Sequence, residues 1–209
     1  MNPGQATTGI NVFMARTQSA DYDKRREAIM ETAARLYAKK GFLGASVAEL
    51  ASACDTSKSL IYHYYPSKED ILYDVMDSHV QSLVEAATRL EASGGKPEAR
   101  LRALAHELMR LYSGAQANQK ILLNELPNLP EPRRAIIIQH QRDVLDVVDR
   151  LLIELRPKLA DKPKQRRPIV MMFFGMLNWT HIWFDPNGPV TPDNVADLAA
   201  DMFLKGLPS

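Results

Sequence analysis

The 209 residues carry 26 Lys/Arg against 25 Asp/Glu, a formal net charge of +1, which excludes a uniformly basic protein. With 45% hydrophobic and 24% charged residues, the chain has a globular composition and enough apolar side chain for a real core. A single cysteine, Cys54, excludes an intramolecular disulfide and a cysteine-based structural zinc site, and suits a reducing cytoplasm.

The opening MNPGQATTGINVFMARTQSA lacks the basic start and long apolar run of a signal peptide, and residues 1–20 read as a loose arm. From Asp23 the apolar positions Ile29, Ala33, Leu36 and Tyr37 keep helical spacing, with Lys39 and Lys40 at the carboxyl end and Gly41 as the stop. Ser46 then caps a two-turn helix carrying Val47, Leu50, Ala51 and Cys54. Asp55 and Thr56 break it. Ser57 caps a second short helix that Pro66 ends, and Ser67 caps a longer one bearing Leu72, Val75, Met76, His79 and Leu83 inward. ASGGKP at 92–97 is a linker, and Pro97 opens a helix over 98–113, followed by another at 116–126. PNLPEP at 127–132 is a break before a long helix at 133–156. ADKPKQRRP leads into an apolar helix at 169–184, and Thr191-Pro192-Asp193 starts the last helix, which reaches residue 207. No period-2 strand pattern emerges, so the fold class is all-α, with about nine helices. The most apolar run, IVMMFFGML at 169–177, is too short to span a bilayer.

The segment TSKSLIYHYYPSKED, residues 56–70, concentrates three tyrosines, a histidine and two lysines. Two short helices joined by a tight turn describe a helix-turn-helix, whose second helix enters the DNA major groove with its free N–H groups toward phosphate. In that geometry Ser46, Thr56 and Ser57 sit beside the DNA backbone. Lys58 and Ser59 occupy the entering end, where side chains reach base edges, and Tyr62, His63, Tyr64 and Lys68 supply further donors. A tyrosine with an inward ring and an outward hydroxyl explains rings with polar tips. Residues 1–68 hold nine Lys/Arg against six Asp/Glu, a modest local excess of positive charge.

The run RREAIMETAARLYAKKGFLGASVAELASACDTSKSLIYHYYPSKEDIL, residues 25–72, resembles the DNA-binding domain of the TetR family of bacterial transcriptional regulators. The likeness rests on Ala33, Leu36, Tyr37, Gly41, Phe42, Ser46, Val47, Leu50, Ala51, Ser57, Lys58, Ile61, Tyr62, His63, Tyr64, Tyr65, Ser67 and Lys68 without a gap. Two departures stand out: Asp55 replaces the turn glycine, and Ser59-Leu60 replaces the small pair after the recognition-helix lysine. The resemblance implies a DNA-binding domain at 21–67 and an effector-binding and dimerisation domain at 68–209. It also implies homodimerisation through the helices at 169–184 and 193–207, which are too apolar to lie on water.

The segment 171–207 is similar to a branch of the family that senses acyl-CoA thioesters. Its aromatics and methionines make an adaptable apolar wall, interrupted by polar groups that need partners. Phe174, Asn178, Trp179 and His181 are therefore candidate effector contacts, and the basic run Lys162, Lys164, Arg166 and Arg167 could meet CoA phosphates. Apolar residues on the 102–126 and 133–155 helices would line the rest of a pocket.

The reading is a cytoplasmic repressor, released from operator DNA by a small apolar or acyl-CoA effector. A ligand-dependent activator, or a DNA-binding structural factor without a ligand, is the alternative. No Glu-x-x-His occurs, no histidine pair has zincin spacing, and there is no glycine-rich phosphate loop. No enzyme activity, cofactor, metal or membrane contact is expected.

Overall fold

Helix α1, Thr7–Lys40, stops at Gly41, whose φ of 77° is the left-handed conformation that glycine adopts without a side-chain clash. The Gly41 amide donates to the Tyr37 carbonyl at 2.8 Å, satisfying one of the helix's last acceptors. The computed structural model describes the backbone of residues 7–207 and the side chains of residues 21–207. Helix rather than a loose arm thus occupies residues 7–20, while residues 1–6 lie outside the described residues. No proline interrupts the chain between Thr7 and Lys40, so a helix nucleated by the packed segment after Asp23 can propagate backwards.

Two units are defined by internal packing, Met1–Val75 and Met76–Ser209. In the first, α2 (Val47–Ala53) and α3 (Lys58–Tyr64) follow α1, and α4 (Lys68–Ala92) begins. Its core is built from Ile29, Ala33, Tyr37, Phe42, Leu50, Ile61, Tyr65 and Leu72, all buried. Ile61 is wholly inaccessible; burying such a side chain contributes about 1.5–3 kcal/mol, which fixes which face of α3 turns inward. Tyr65 is a core anchor: its hydroxyl donates to the Arg26 carbonyl at 3.4 Å, and the Arg26 guanidinium lies 5.3 Å from the ring centroid. Between α2 and α3, Asp55 takes φ 50°, the left-handed conformation that the family's turn glycine would supply.

The second unit continues with α5 (Pro97–Gly114), α6 (Gln116–Asn124), α7 (Glu131–Leu155), α8 (Pro163–Asn178), the single turn α9 (Thr180–Trp183) and α10 (Pro192–Gly206). Short 3-10 turns cover Leu126–Asn128 and Pro157–Leu159. The described residues form no strand, and none of their helices is long and apolar enough to cross a membrane. Two boundaries differ from the sequence expectation. Helix α8 begins at Pro163 instead of 169, because Pro163 fits the first turn. The internal Pro168 sits on the exposed side, where the carbonyl it leaves unpaired can be hydrated. Helix α8 then ends at Asn178, and α9 adds only one turn.

The α5–α10 pair is the most extensively packed. Leu101, Leu104, Ala105 and Leu108 of α5 and Val195, Ala196, Ala199, Ala200 and Phe203 of α10 are all buried, and small alanines suit a close approach of two helices. Along its edge, Asp193, Asp197 and Asp201 recur every four residues on α10. His106 bridges the first two at 2.9 and 2.8 Å, and Arg102 pairs with the third.

Candidate nucleic-acid interface and ligand cavity

Two serine caps build the helix-turn-helix. The Ser46 hydroxyl accepts from the Glu49 amide at 3.1 Å, while the Glu49 carboxylate accepts from the Ser46 amide at 2.9 Å, a reciprocal capping box. The Lys40 ammonium holds that carboxylate in place and, with the Ser46 bonds, brings its pKa down to about 2. Ser57 caps α3 by accepting from the Leu60 amide at 3.1 Å. The Thr56 amide donates to the Ala51 carbonyl at 2.9 Å, which closes the turn.

With Ile61 and Tyr65 buried, the opposite face of α3 is outward. Lys58, Ser59, Tyr62 and His63 occupy positions i, i+1, i+4 and i+5, and all four are exposed. Ser46 and Ser57 are exposed at the two caps, and Thr56 and Tyr64 are half-buried beside them. The candidate DNA-contacting side chains are therefore all exposed or half-buried, and one of them, Lys68, is engaged within the unit. Lys68 is partly buried; its ammonium donates to the Phe42 carbonyl and lies 4.1 Å from the Phe42 ring centroid. The expectation that Lys68 reaches phosphate thus gives way to a tie between the start of α4 and the α1–α2 loop. The unfavourable position of a lysine opening a helix is offset by the carbonyl and the ring.

One residue absent from the sequence-derived set joins the α3 side chains. Tyr22 packs its ring 4.6 Å from Tyr64 and 6.3 Å, edge-on, from His63. Nothing local marks it, because the contact spans more than forty residues between α1 and α3.

In the second unit a cavity of about 250 Å³ opens between helices. Val80 and Leu83 of α4, Leu122 and Leu123 of α6, and Val144 and Leu145 of α7 give its apolar walls, completed by Met171 and Phe174 of α8. Tyr112, Gln119, Gln141 and Asn178 are its polar members, and no charged side chain is among the described residues that line it. Behind the wall, His79 Nε2 donates to Gln119 Oε1 at 2.8 Å, and Gln119 Nε2 donates to Asn178 Oδ1 at 3.2 Å. His79 and Gln119 are both buried. Burial lowers the His79 pKa despite the Gln119 hydrogen bond, so its imidazole is neutral near pH 7. Burial pushes the Tyr112 hydroxyl up.

The expected effector contacts divide. Phe174 and Asn178 line the cavity. Trp179 is 62% exposed and does not line it. His181 does not line it, and its Nδ1 donates to the Asn178 carbonyl at 2.7 Å. Arg166 does not line the cavity: Nε donates to both Asp149 carboxylate oxygens at 2.9 and 3.1 Å, and Nη1 donates to the Leu159 and Ala160 carbonyls, an α7–α8 clamp. Arg167 is exposed on the first turns of α8, away from the cavity lining. Gln119, Tyr112 and Gln141 were missed. His79 gave a signal, as a polar residue on the inward stripe of α4, whereas Gln119 lies among polar neighbours and gave none.

A capped two-helix reader with an outward donor face, followed by a larger helical unit, defines a helix-turn-helix transcriptional regulator. The chain belongs to the TetR family: residues 29–75 match the model for bacterial regulatory proteins of the tetR family, and residues 94–207 match the tetracyclin repressor-like C-terminal domain. A TetR-family regulator from Bordetella parapertussis superposes with a TM-score of 0.84 at 34% identity, covering 88% of this chain and 97% of that one. AibR, solved in complex with isovaleryl coenzyme A and operator DNA, gives 0.75 at 29% identity, covering 85% and 97%. The transcriptional repressor KstR2 of Rhodococcus jostii is 24% identical over 189 residues, 88% of this chain and 92% of its own length. Matches to the Bacillus subtilis regulators YuxN (32% identical) and YerO (33%) cover 35% and 45% of this chain but only 25% and 30% of those proteins' length. The family consists of transcriptional regulators, not enzymes.

Proposed function

We propose that this chain is a homodimeric repressor that leaves its operator when a small ligand fills the cavity of the second unit. The observation that carries this reading is the course of α4. It contributes Lys68, Ile71 and Leu72 to the first unit, and Val80 and Leu83 to the cavity wall, as one uninterrupted helix. A ligand that prefers one α4 position biases the position of the DNA-reading unit, and only such a difference in affinity can drive release. A cavity of this size and apolar lining favours a sensor over a ligand-independent structural factor.

DNA contact falls to Lys58 and Ser59 at base edges, with Ser46, Thr56, Ser57, Tyr62, His63 and Tyr64 at the backbone and groove walls. Dimerisation supplies a second reader about 34 Å away, matching successive major-groove faces. Its surface is the apolar stripe of Met172 on α8, Trp179 between α8 and α9, Ile182 and Trp183 on α9, and Leu198 and Met202 on α10, all more than half exposed. The likeness to AibR supports an acyl-CoA thioester as effector class, with the acyl group in the cavity and the CoA outside it. A regulator of this kind works in the cytoplasm, where its DNA is. Footprinting on DNA upstream of the protein's own gene tests the reading: a protected site with dyad symmetry is expected, and protection of a single half-site, or none, contradicts it.

A further inference from the structure

The polar strip of the cavity has a direction. We infer that the cavity binds the carbonyl of an uncharged ligand, a ketone, ester or thioester, through the Asn178 side-chain amide, with His79 acting as the positioning residue that sets the direction of the strip. This rests on the reading of the cavity as the effector site and adds what chemistry that site selects.

The buried His79 ring donates from Nε2 to Gln119 Oε1, so the Gln119 amide is held with its oxygen toward α4 and its nitrogen toward α8. That nitrogen donates to Asn178 Oδ1. The Asn178 oxygen is therefore engaged and its NH2 group remains as the donor on a residue that lines the cavity. Reversing one amide alone would place two oxygens, or two NH2 groups, against each other and leave a buried group unsatisfied; reversing both, with the His79 proton on Nδ1, would turn the Asn178 oxygen to the cavity, the polarity that octylamine winning in wild type would reveal. The neutral state of His79 suits a fixed donor with no charge to spread.

Charge is selected as well as polarity. None of the described lining residues is a cation, so a carboxylate entering the cavity would lose its hydration without a counter-charge. Arg166, the nearest expectation for an anion partner, is committed to Asp149. An ammonium would likewise lose its hydration, with no carboxylate among the described lining residues to pair with. An uncharged carbonyl meets both conditions, and the apolar walls take the hydrocarbon attached to it.

Three nine- or eight-carbon probes of matched shape test this on the full chain: 2-nonanone, octanoate and octylamine, titrated calorimetrically against wild type, Asn178→Asp and His79→Phe. For wild type, 2-nonanone is expected to bind at least about fivefold more tightly than either charged probe, the size of one net hydrogen bond. In Asn178→Asp, which turns acceptors toward the ligand, octylamine should overtake the ketone. In His79→Phe the ketone preference should shrink while circular dichroism shows an intact helical fold, a change that loss of packing alone does not produce. Octanoate binding as tightly as the ketone, octylamine winning in wild type, or no ketone binding overturns the assignment. Measuring operator affinity alongside separates the two levels. A ketone that binds without changing DNA affinity keeps the carbonyl site and overturns the effector reading. Octanoate that binds preferentially and releases DNA does the reverse.

Discussion

The ring of Tyr22, on α1, lies 4.6 Å from the ring of Tyr64 at the end of α3. The long first helix thus braces the carboxyl end of the reading helix. Aromatic pairs of this kind contribute about 0.5–1.5 kcal/mol beyond their buried area. Tyr22→Ala and Tyr64→Ala should each weaken operator binding by roughly threefold to tenfold. In a double-mutant cycle the two losses should not add, because one contact is removed twice. Strict additivity would show that the rings act separately.

Lys68 separates anchoring from phosphate contact. Its ammonium is engaged by the Phe42 carbonyl and ring, so Lys68→Met should lower the unfolding free energy by about 1.5–3 kcal/mol, the worth of a hydrogen bond to a charged group. The slope of log K for DNA against log salt should stay as in wild type. A slope reduced by about one unit would mean a lost phosphate contact instead.

His106 makes the α5–α10 seam pH-dependent. Hydrogen bonding first to Asp193 and then to Asp197 raises its pKa above the ordinary 6.5. A raised folded-state pKa means stability fully present below pH 6.5 and lost as pH climbs through the folded value. The side chain is 35% exposed, so the contribution stays below about 1 kcal/mol. The melting-temperature advantage of wild type over His106→Leu should be larger at pH 5.5 than at pH 8.5. An advantage that grows with pH would reverse the sign and refute the assignment.

On the apolar stripe, Leu198 and Met202 are 62% and 60% exposed, so replacing both with Asp leaves the core untouched. Sedimentation equilibrium should then find monomers of native helicity, and operator affinity should fall about 100-fold or more as the avidity of two readers is lost. A double variant that remains dimeric would move the interface elsewhere.

Much of this was legible in the sequence because it is local. Serine caps, glycine and proline stops and apolar spacing specify where α2, α3, α4, α5 and α10 begin. The inward turn of Ile61 and Tyr65 then dictates which α3 side chains face out. What escaped was decided by distant partners. Arg166 looks like a phosphate ligand in a basic run, yet Asp149, seventeen residues earlier on α7, claims it. Gln119 sits in a polar stretch and is buried only because α4 brings His79 against it. Trp179 carries a large ring on an apolar segment, but the end of α8 at Asn178 turns it outward. The extension of α1 to Thr7 escaped for another reason: no cap or stripe marks its start.

Fluorescence anisotropy of the full-length protein on its operator duplex, at fixed salt, with and without saturating cavity ligand, tests the coupling of cavity to DNA most directly. A five- to 150-fold weakening is the expected range for such coupling, and bound DNA should weaken the ligand by the same factor. An operator affinity unchanged by a ligand shown to occupy the cavity contradicts it.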